Sequence, residues 1–391
     1  MSEITIRLLK QDEVLSVLRP MSAYAFRATP PLPEPAEWQK YYPPAGEASY
    51  FAVFEDEKPV ASAASFPMTL NIRGQLYAGN GLGVVSTHPT GRRKGYARQM
   101  LSSIFAQLYE QGVAISTLYP FRESFYTRLG YTTFTQPKRI RFAPQPLQPL
   151  LKKSWNGAVE LLDIAQGYDL YQEYIRTRLP QIHGMGLFSP NFKLPWRDKN
   201  GQWLAIARVD GTIKGMMTYK ISGHGGTLEA SQFWYDDIQG RYLLLEWLAR
   251  HIDHVQTVEM ILPPFERPET WWPDLNVQVS SIEPPLGRII AIDKLAGVHT
   301  GAGSFSARIH DEYCPWNNGT YRFATHEGQL QISPSATADC ELSIQALTSL
   351  IYGTNEPATF ALRGWGDPST ELQTVFSRMF PLQQPYLFET F

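Results

Sequence analysis

Thr87-His88-Pro89-Thr90-Gly91-Arg92-Arg93-Lys94-Gly95-Tyr96-Ala97 carries three consecutive cations between two glycines. From Ala97 onward, apolar side chains recur at positions 97, 100, 101, 104, 105 and 108. That spacing predicts an amphipathic helix beginning at the end of the quoted turn. The apolar run Ala78 to Thr87 ahead of it reads as a strand, and Val113 to Leu118 behind it as another. A ligand with a pyrophosphate needs several backbone N–H donors converging on it, and a helix start supplies them together with the positive end of the helix dipole. Within the turn, Arg92-Arg93-Lys94-Gly95-Tyr96-Ala97 fits the pattern Arg/Gln-x-x-Gly-x-Gly/Ala. Gly95 lets the backbone approach the phosphates, and Ala97 keeps the next turn uncrowded. The hexapeptide alone also suits a solvated basic turn; its setting between strand and helix favours the anion site.

Outward from the turn, the first 135 residues alternate elements. Ile4 and Ile6 open a strand, and Val14, Leu15, Val17 and Leu18 mark one side of a helix. Tyr50-Phe51-Ala52-Val53-Phe54 and Val60-Ala61-Ser62-Ala63-Ala64 flank a polar turn as a hairpin, and a short helix through Phe125, Tyr126 and Leu129 stops at Gly130. About 150 residues later the same order returns, a spacing close to one domain. Trp203 to Ala207, Asp210-Gly211 and Ile213 to Tyr219 repeat the hairpin; Ala230 to Tyr235 is a strand; Gly240 opens a helix carrying Leu244, Leu245, Trp247, Leu248 and Ile252; and Thr257 to Leu262 follows. The order implies an internal duplication, with an unrelated α/β domain as the alternative. Pro144-Gln145-Pro146-Leu147-Gln148-Pro149 and Pro284-Pro285 read as joints, and from Arg288 short strands precede a helix around Leu342 to Leu350.

Composition bounds the function. A length of 391 residues with 43% apolar content favours two or three domains, and a net charge of −2 without like-charge runs argues against nucleic acid as a partner. No membrane span and no secretory leader are expected, which places the chain in the cytoplasm. Cys314 and Cys340 lie far apart without CxxC spacing, so they read as buried or idle thiols and no metal site is expected.

The residues Arg92 to Ala97, with the helix running to Gly130-Tyr131, resemble motif A of the GNAT superfamily of N-acetyltransferases. That resemblance implies acetyl-CoA as co-substrate. Its pyrophosphate would lie on Arg92, Arg93, Lys94, Gly95, Tyr96, Ala97 and Arg98, its pantetheine arm along the backbone of Val85, Ser86 and Thr87, and its thiol end near Phe121 and Arg122. In the second unit the corresponding turn is Asp236-Asp237-Ile238-Gln239-Gly240-Arg241, with two carboxylates where a pyrophosphate would sit. Repulsion there implies a GNAT-like frame without cofactor and one active site per chain. Two such units, followed by Arg288-Ile289-Ile290-Ala291-Ile292-Asp293 and Ala338-Asp339-Cys340-Glu341-Leu342 before a helix ending near Gly353, resemble the Eis acetyltransferases. The third domain of that family looks like a sterol carrier protein. The expected fold is therefore α/β and α+β: a catalytic GNAT domain at 1–146, a degenerate GNAT-like domain at 147–287 and a sterol carrier protein-like domain at 288–391. The family also implies a hexamer and acceptors that are primary amines, aminoglycosides or lysine side chains among them.

Amine acetylation moves two protons, one off the ammonium and one onto the leaving thiolate. The resemblance assigns the acid to Tyr126, with ring packing as the alternative role and Tyr131 as competitor. It assigns the base to the free carboxylate of Phe391, the alternative being a hydrophobic tail that docks without chemistry. A cationic acceptor calls for acid and aromatic surface. Glu123 and Glu389 are candidates for the first, and Phe26, Trp38, Tyr41 and Tyr42 for the second; His88 reads as an exposed turn residue. Rival readings are a binding protein for acetyl-CoA or an apolar ligand on a GNAT frame, and transfer to a hydroxyl group.

Overall fold

The computed structural model describes residues 3–26, 29–31, 34, 46–199 and 201–391. Trp38, Tyr41 and Tyr42 lie outside them. The described chain forms two compact units, one of Met1–Thr135, Leu179–Pro195 and Pro284–Phe391, the other of Gln136–Arg178 and Trp196–Glu283.

The first part of the chain runs β1 (Ile4–Leu8), α1 (Val14–Phe26), β2 (Ser49–Glu55), β3 (Lys58–Ile72), β4 (Gln75–Thr87), α2 (Tyr96–Glu110), β5 (Ile115–Leu118), α3 (Glu123–Thr127) and β6 (Thr132–Thr133). The β2–β3 hairpin closes through Asp56 and Glu57, both at positive φ, which is the backbone a two-residue turn needs to match strand twist. Helix α2 buries Met100, Leu101, Ile104, Phe105 and Leu108, the set its spacing marks.

Next come β7 (Lys138–Phe142), β8 (Ala158–Asp163), α4 (Ile164–Arg178), β9 (Gly186–Leu187), β10 (Trp203–Val209), β11 (Thr212–Ile221), β12 (Gly226–Tyr235), α5 (Ile238–Ala249), β13 (Val255–Leu262) and β14 (Gln278–Ser281). All of these strands but β9 form a seven-stranded sheet of order β14-β7-β13-β12-β11-β10-β8, with β12 and β13 parallel. Asp210-Gly211 makes the expected hairpin turn, Val209 pairing with Thr212. Helix α5 ends at Ala249, so Ile252 falls beyond it. The Pro-rich run at 144–149 is no free joint: it lies in a 3-10 segment whose Leu147 and Leu150 are fully buried in this unit's core.

The chain finishes with β15 (Leu286–Ile289), β16 (Ser304–His310), β17 (Gly319–His326), β18 (Gln329–Pro334), β19 (Cys340–Ser343), α6 (Ile344–Tyr352) and α7 (Thr370–Met379). A four-stranded sheet, β18-β17-β16-β19, carries these helices, and α6 stops at Gly353 in the left-handed conformation. Its apolar face joins β3 in one core that contains Met68, Leu70, Ile72, Ile289, Leu347 and Phe376.

Three strands depart from sequence order, the two-residue β9 among them, since it pairs with β3. β7 pairs with β13 and β14 of the seven-stranded sheet, although it follows β6 directly, while β15 pairs with β5 and β6 in the other sheet, order β1-β2-β3-β4-β5-β15-β6. Arg288 on β15 is fully buried there. Its guanidinium donates to both carboxylate oxygens of Asp311 at 2.7 Å and to Cys314 Sγ at 2.8 Å, and lies 4.5 Å from the centre of the Phe105 ring. Both cysteines are free thiols, and burial raises that of Cys314 to about 12.

Candidate active site

Strands β4 and β5 run parallel only from Gly79–Ile115 to Gly81–Thr117, while β4 continues to Thr87 paired with β3 alone. At the same level the β3–β4 ladder shifts register between Ser62 and Ala64. Val84 there holds φ at +53°, a left-handed conformation that costs a β-branched residue about 1–3 kcal/mol. Pairing on both sides of the shift enforces it. Past this point Ser86 turns its hydroxyl inward to Ser62 Oγ, 2.8 Å away, and Val85 and Thr87 are half-exposed. The fork between the strands thus leaves the backbone of 84–87 without a neighbour from β5 along its continuation.

The turn follows directly. His88 is exposed, and its Nδ1 accepts from the backbone N–H of Thr90, capping the 3-10 turn Pro89–Gly91. Arg93 at φ +64° and Gly95 at φ +85° then curl the backbone into helix α2. Gly95 occupies the N-cap without any side-chain cap. A side chain placed on it would find its nearest heavy atom at Gln99 Nε2, 4.0 Å away, so the space in front of the helix is open. Arg92, Arg93 and Arg98 are exposed around it, while Lys94 is held by Glu55 at 2.8 Å. Uncapped N–H groups, a helix dipole and exposed guanidinium groups form a cradle that fits a pyrophosphate.

Beyond β5, Phe121 is 66% exposed and Arg122 occupies the N-cap position of α3 without a side-chain cap bond. Tyr126 is buried, its ring centred 5.7 Å from that of Phe121, 5.0 Å from Phe125 and 6.0 Å from Tyr131. Burial raises its phenol well above the usual value, which keeps the proton on at neutral pH. Tyr131 is fully buried and shares a 2.8 Å hydrogen bond with Ser116 Oγ.

The C-terminal segment lies at the fork. The Phe391 ring covers Gly81, where an added Cβ would sit 2.8 Å from its Cζ, and meets Tyr119 at 5.7 Å, Phe66 at 5.8 Å and Phe188 at 5.5 Å between ring centres. Three alternate glycines, Gly79, Gly81 and Gly83, line one face of β4. That period-two pattern is a sequence signal for close approach, and the sequence reading passed over it. Also missed was the segment 179–195, which packs Phe188 and Phe192 on Phe66. Of the expected acids, Glu389 is buried and ion-paired with Lys193, and Glu123 is exposed and accepts from Thr133 Oγ1. Phe26 is 61% exposed at the end of α1.

In the seven-stranded unit the equivalent helix start is filled from within. Asp237 caps α5, accepting from Gly240 N–H at 3.0 Å and pairing with Lys214 at 3.2 Å. Asp236 pairs with Arg178 and accepts from Tyr174 Oη at 2.7 Å. Among the described residues no group of His, Cys, Asp and Glu is placed to hold a metal, and no helix is long and apolar enough to cross a membrane.

Residues 5–134 match the family model of the acetyltransferase (GNAT) domain, and residues 292–388 that of the sterol carrier protein domain. No curated protein matches the sequence. Among solved structures, a conserved protein of unknown function from Enterococcus faecalis, described as a probable N-acyltransferase, superposes with a TM-score of 0.88 at 21% identity over 100% of both chains. A GCN5-related N-acetyltransferase from Anabaena variabilis gives 0.85 at 15% identity, again over 100% of both. Eis1 from Mycobacterium abscessus gives 0.78 at 17%, covering 99% of this chain and 100% of its own. At such identities the likeness is one of fold.

Proposed function

We propose that this chain is a GNAT-type acetyltransferase with a sterol carrier protein domain, arranged as in Eis, and that it transfers acetyl from acetyl-CoA to a primary amine at one site per chain. The observation that carries the reading is the uncapped start of α2 at Gly95, open to solvent and ringed by arginines.

Residues Arg92 to Arg98 hold the pyrophosphate and the backbone of Val85, Ser86 and Thr87 binds the pantetheine arm, with Phe121 and Arg122 beside the thiol end. Bound there, acetyl-CoA supplies an acyl group activated as a thioester. The Phe391 carboxylate takes a proton from the acceptor ammonium, freeing the lone pair that forms the new C–N bond. Tyr126 gives its proton to the sulfur as the C–S bond breaks, and the second proton that the acylated nitrogen must shed passes through solvent to restore the phenol. The buried phenol suits that role because it is protonated before the reaction. The acceptor class under this reading is a small polycationic molecule, aminoglycosides included, or a lysine side chain. Residues 1–146 form the catalytic domain, 147–287 a GNAT-like domain without cofactor, and 288–391 the domain that delivers the base. Hexameric assembly and a cytoplasmic location belong to the same reading, and sedimentation and cell fractionation test them.

Two variants test the chemistry. Tyr126→Phe removes one hydroxyl and should lower turnover about a hundredfold with acetyl-CoA affinity unchanged. A glycine added after Phe391 turns the carboxylate into an amide while keeping every ring, and should lower turnover by a similar factor. Full turnover in either variant, measured by thiol release across a panel of amines, overturns that residue's role.

A further inference from the structure

We infer that Lys193 is a positioning residue for the reaction: its ion pair with Glu389 latches the end of the chain into the β4–β5 fork and fixes where Phe391 sits. This rests on the proposed role of Phe391 as base.

The tail is threaded by hydrogen bonds along its length. Arg73 Nη2 donates to Pro381 O at 2.8 Å, Gln383 N–H to Gly353 O at 2.9 Å, Tyr386 N–H to His183 O at 2.9 Å, and Tyr119 Oη to Leu387 O at 3.4 Å. From there, the charged contact of Glu389 with Lys193 governs the last residues. Glu389 is 4% exposed, so its carboxylate has left water and depends on this cation. Phe391 follows two residues later, within roughly 7 Å of extended chain, a span short enough for the latch to set the position of the terminal group.

Lys193 is presented rigidly. Its segment is stapled to the β3–β4 turn: Asn71 N–H donates to Met185 O and Gly184 N–H to Asn71 O, both at 2.8 Å, and Asn71 Nδ2 donates to Leu179 O at 2.7 Å. Arg73 N–H donates to His183 Nδ1 at 3.0 Å, and β9 pairs with β3 at Thr69–Leu187 and Leu70–Gly186. Burial pushes the His183 imidazole down to about 3, so it stays neutral and the staple does not titrate near neutral pH. The same segment sets Phe188 against the Phe391 ring, with Phe192 stacked on Phe188 at 4.0 Å. A proton acceptor must come within about 2.6–3.2 Å of its proton, and a displacement of about 1 Å can cost a hundredfold in rate. A tail freed after Phe388 exceeds that tolerance.

The test uses Lys193→Met, Glu389→Gln and the charge-swapped double variant Lys193→Glu with Glu389→Lys, in the full-length protein. Turnover, acetyl-CoA affinity, thermal unfolding and the rate at which carboxypeptidase A releases Phe391 are measured for each. Both single variants should lower kcat about 10- to 100-fold, leave acetyl-CoA affinity unchanged and speed Phe391 release at least tenfold. The swap should recover much of both. A general loss of stability would lower affinity with kcat and would not be reversed by the swap, which would overturn the inference. So would Phe391 release as slow in the single variants as in the wild type. Fast release with undiminished turnover, together with an active glycine-extended enzyme, would instead remove Phe391 as base and leave the latch as a structural contact.

Discussion

Helices α2 and α5 follow equivalent strands in two sheets with the same order of elements, and they treat their first turns in opposite ways. At α2 the cap is a glycine, the N–H groups face open space and the nearby charges are cationic. At α5 the cap is Asp237, whose carboxylate takes the place an external anion would, while Asp236 is tied to Arg178 and Tyr174. The orphan N–H groups of a helix start have to be satisfied by something. One unit supplies its own anion; the other leaves its helix start without a side-chain cap. An unfilled helix start is therefore a more specific mark of a binding site than the fold that carries it.

Breaking the open side should produce the largest effect. Gly95→Glu puts bulk and negative charge into the cradle at a φ of +85°, and should lower acetyl-CoA affinity by more than a hundredfold in a protein that still folds. Calorimetry reads it, and retained affinity would separate the cradle from the cofactor. In the other unit, Asp236→Ala strands Arg178, whose side chain is 10% exposed, and should cost about 2–3 kcal/mol of stability in urea unfolding. Binding stoichiometry should stay at one acetyl-CoA per chain; two in the wild type would erase the contrast.

Asp237→Ala removes the cap of α5 and should cost about 1 kcal/mol. Its carboxyl is held below the ordinary 3.8, chiefly by the Gly240 N–H. A depressed carboxyl contributes stability above its unfolded pKa and loses that contribution as pH falls through the folded one. The difference between wild type and variant should therefore be constant at neutral pH and shrink below about pH 4. Smallest of all, Glu55→Gln frees Lys94 from its carboxylate and should raise acetyl-CoA affinity about two- to fivefold, sharpening the cationic character of the open turn.

Much of this contrast was legible in the residues. The periodicity of Met100 to Leu108, the Asp-Gly hairpin and the place of Asp237 at the start of α5 act through near neighbours in the chain, so spacing alone reports them, whereas the partners of Asp236 lie 58 and 62 positions away. Other features were not legible in the same way. The positive φ of Val84 contradicts the preference of a β-branched residue and exists because the β3–β4 ladder before and after the register shift imposes it. The pairing of Glu389 depends on Lys193, in a segment far earlier in the chain.

From sequence alone came the existence of a strand, basic turn and helix suited to an anion, its repetition with reversed charge, and the docked character of an aromatic tail, because local periodicity, turn chemistry and charge are properties of neighbouring residues. Tertiary structure decided which strands complete each sheet, since β7 pairs with β13 and β14 and β15 with β5 and β6, partners that adjacent residues do not announce. It also decided that Gly81 and Gly83 on β4 make room for Phe391, while Gly79 makes room for Leu70, and that Lys193 meets Glu389. Those contacts join segments far apart in the chain, and their energies arise once burial has removed the competing water.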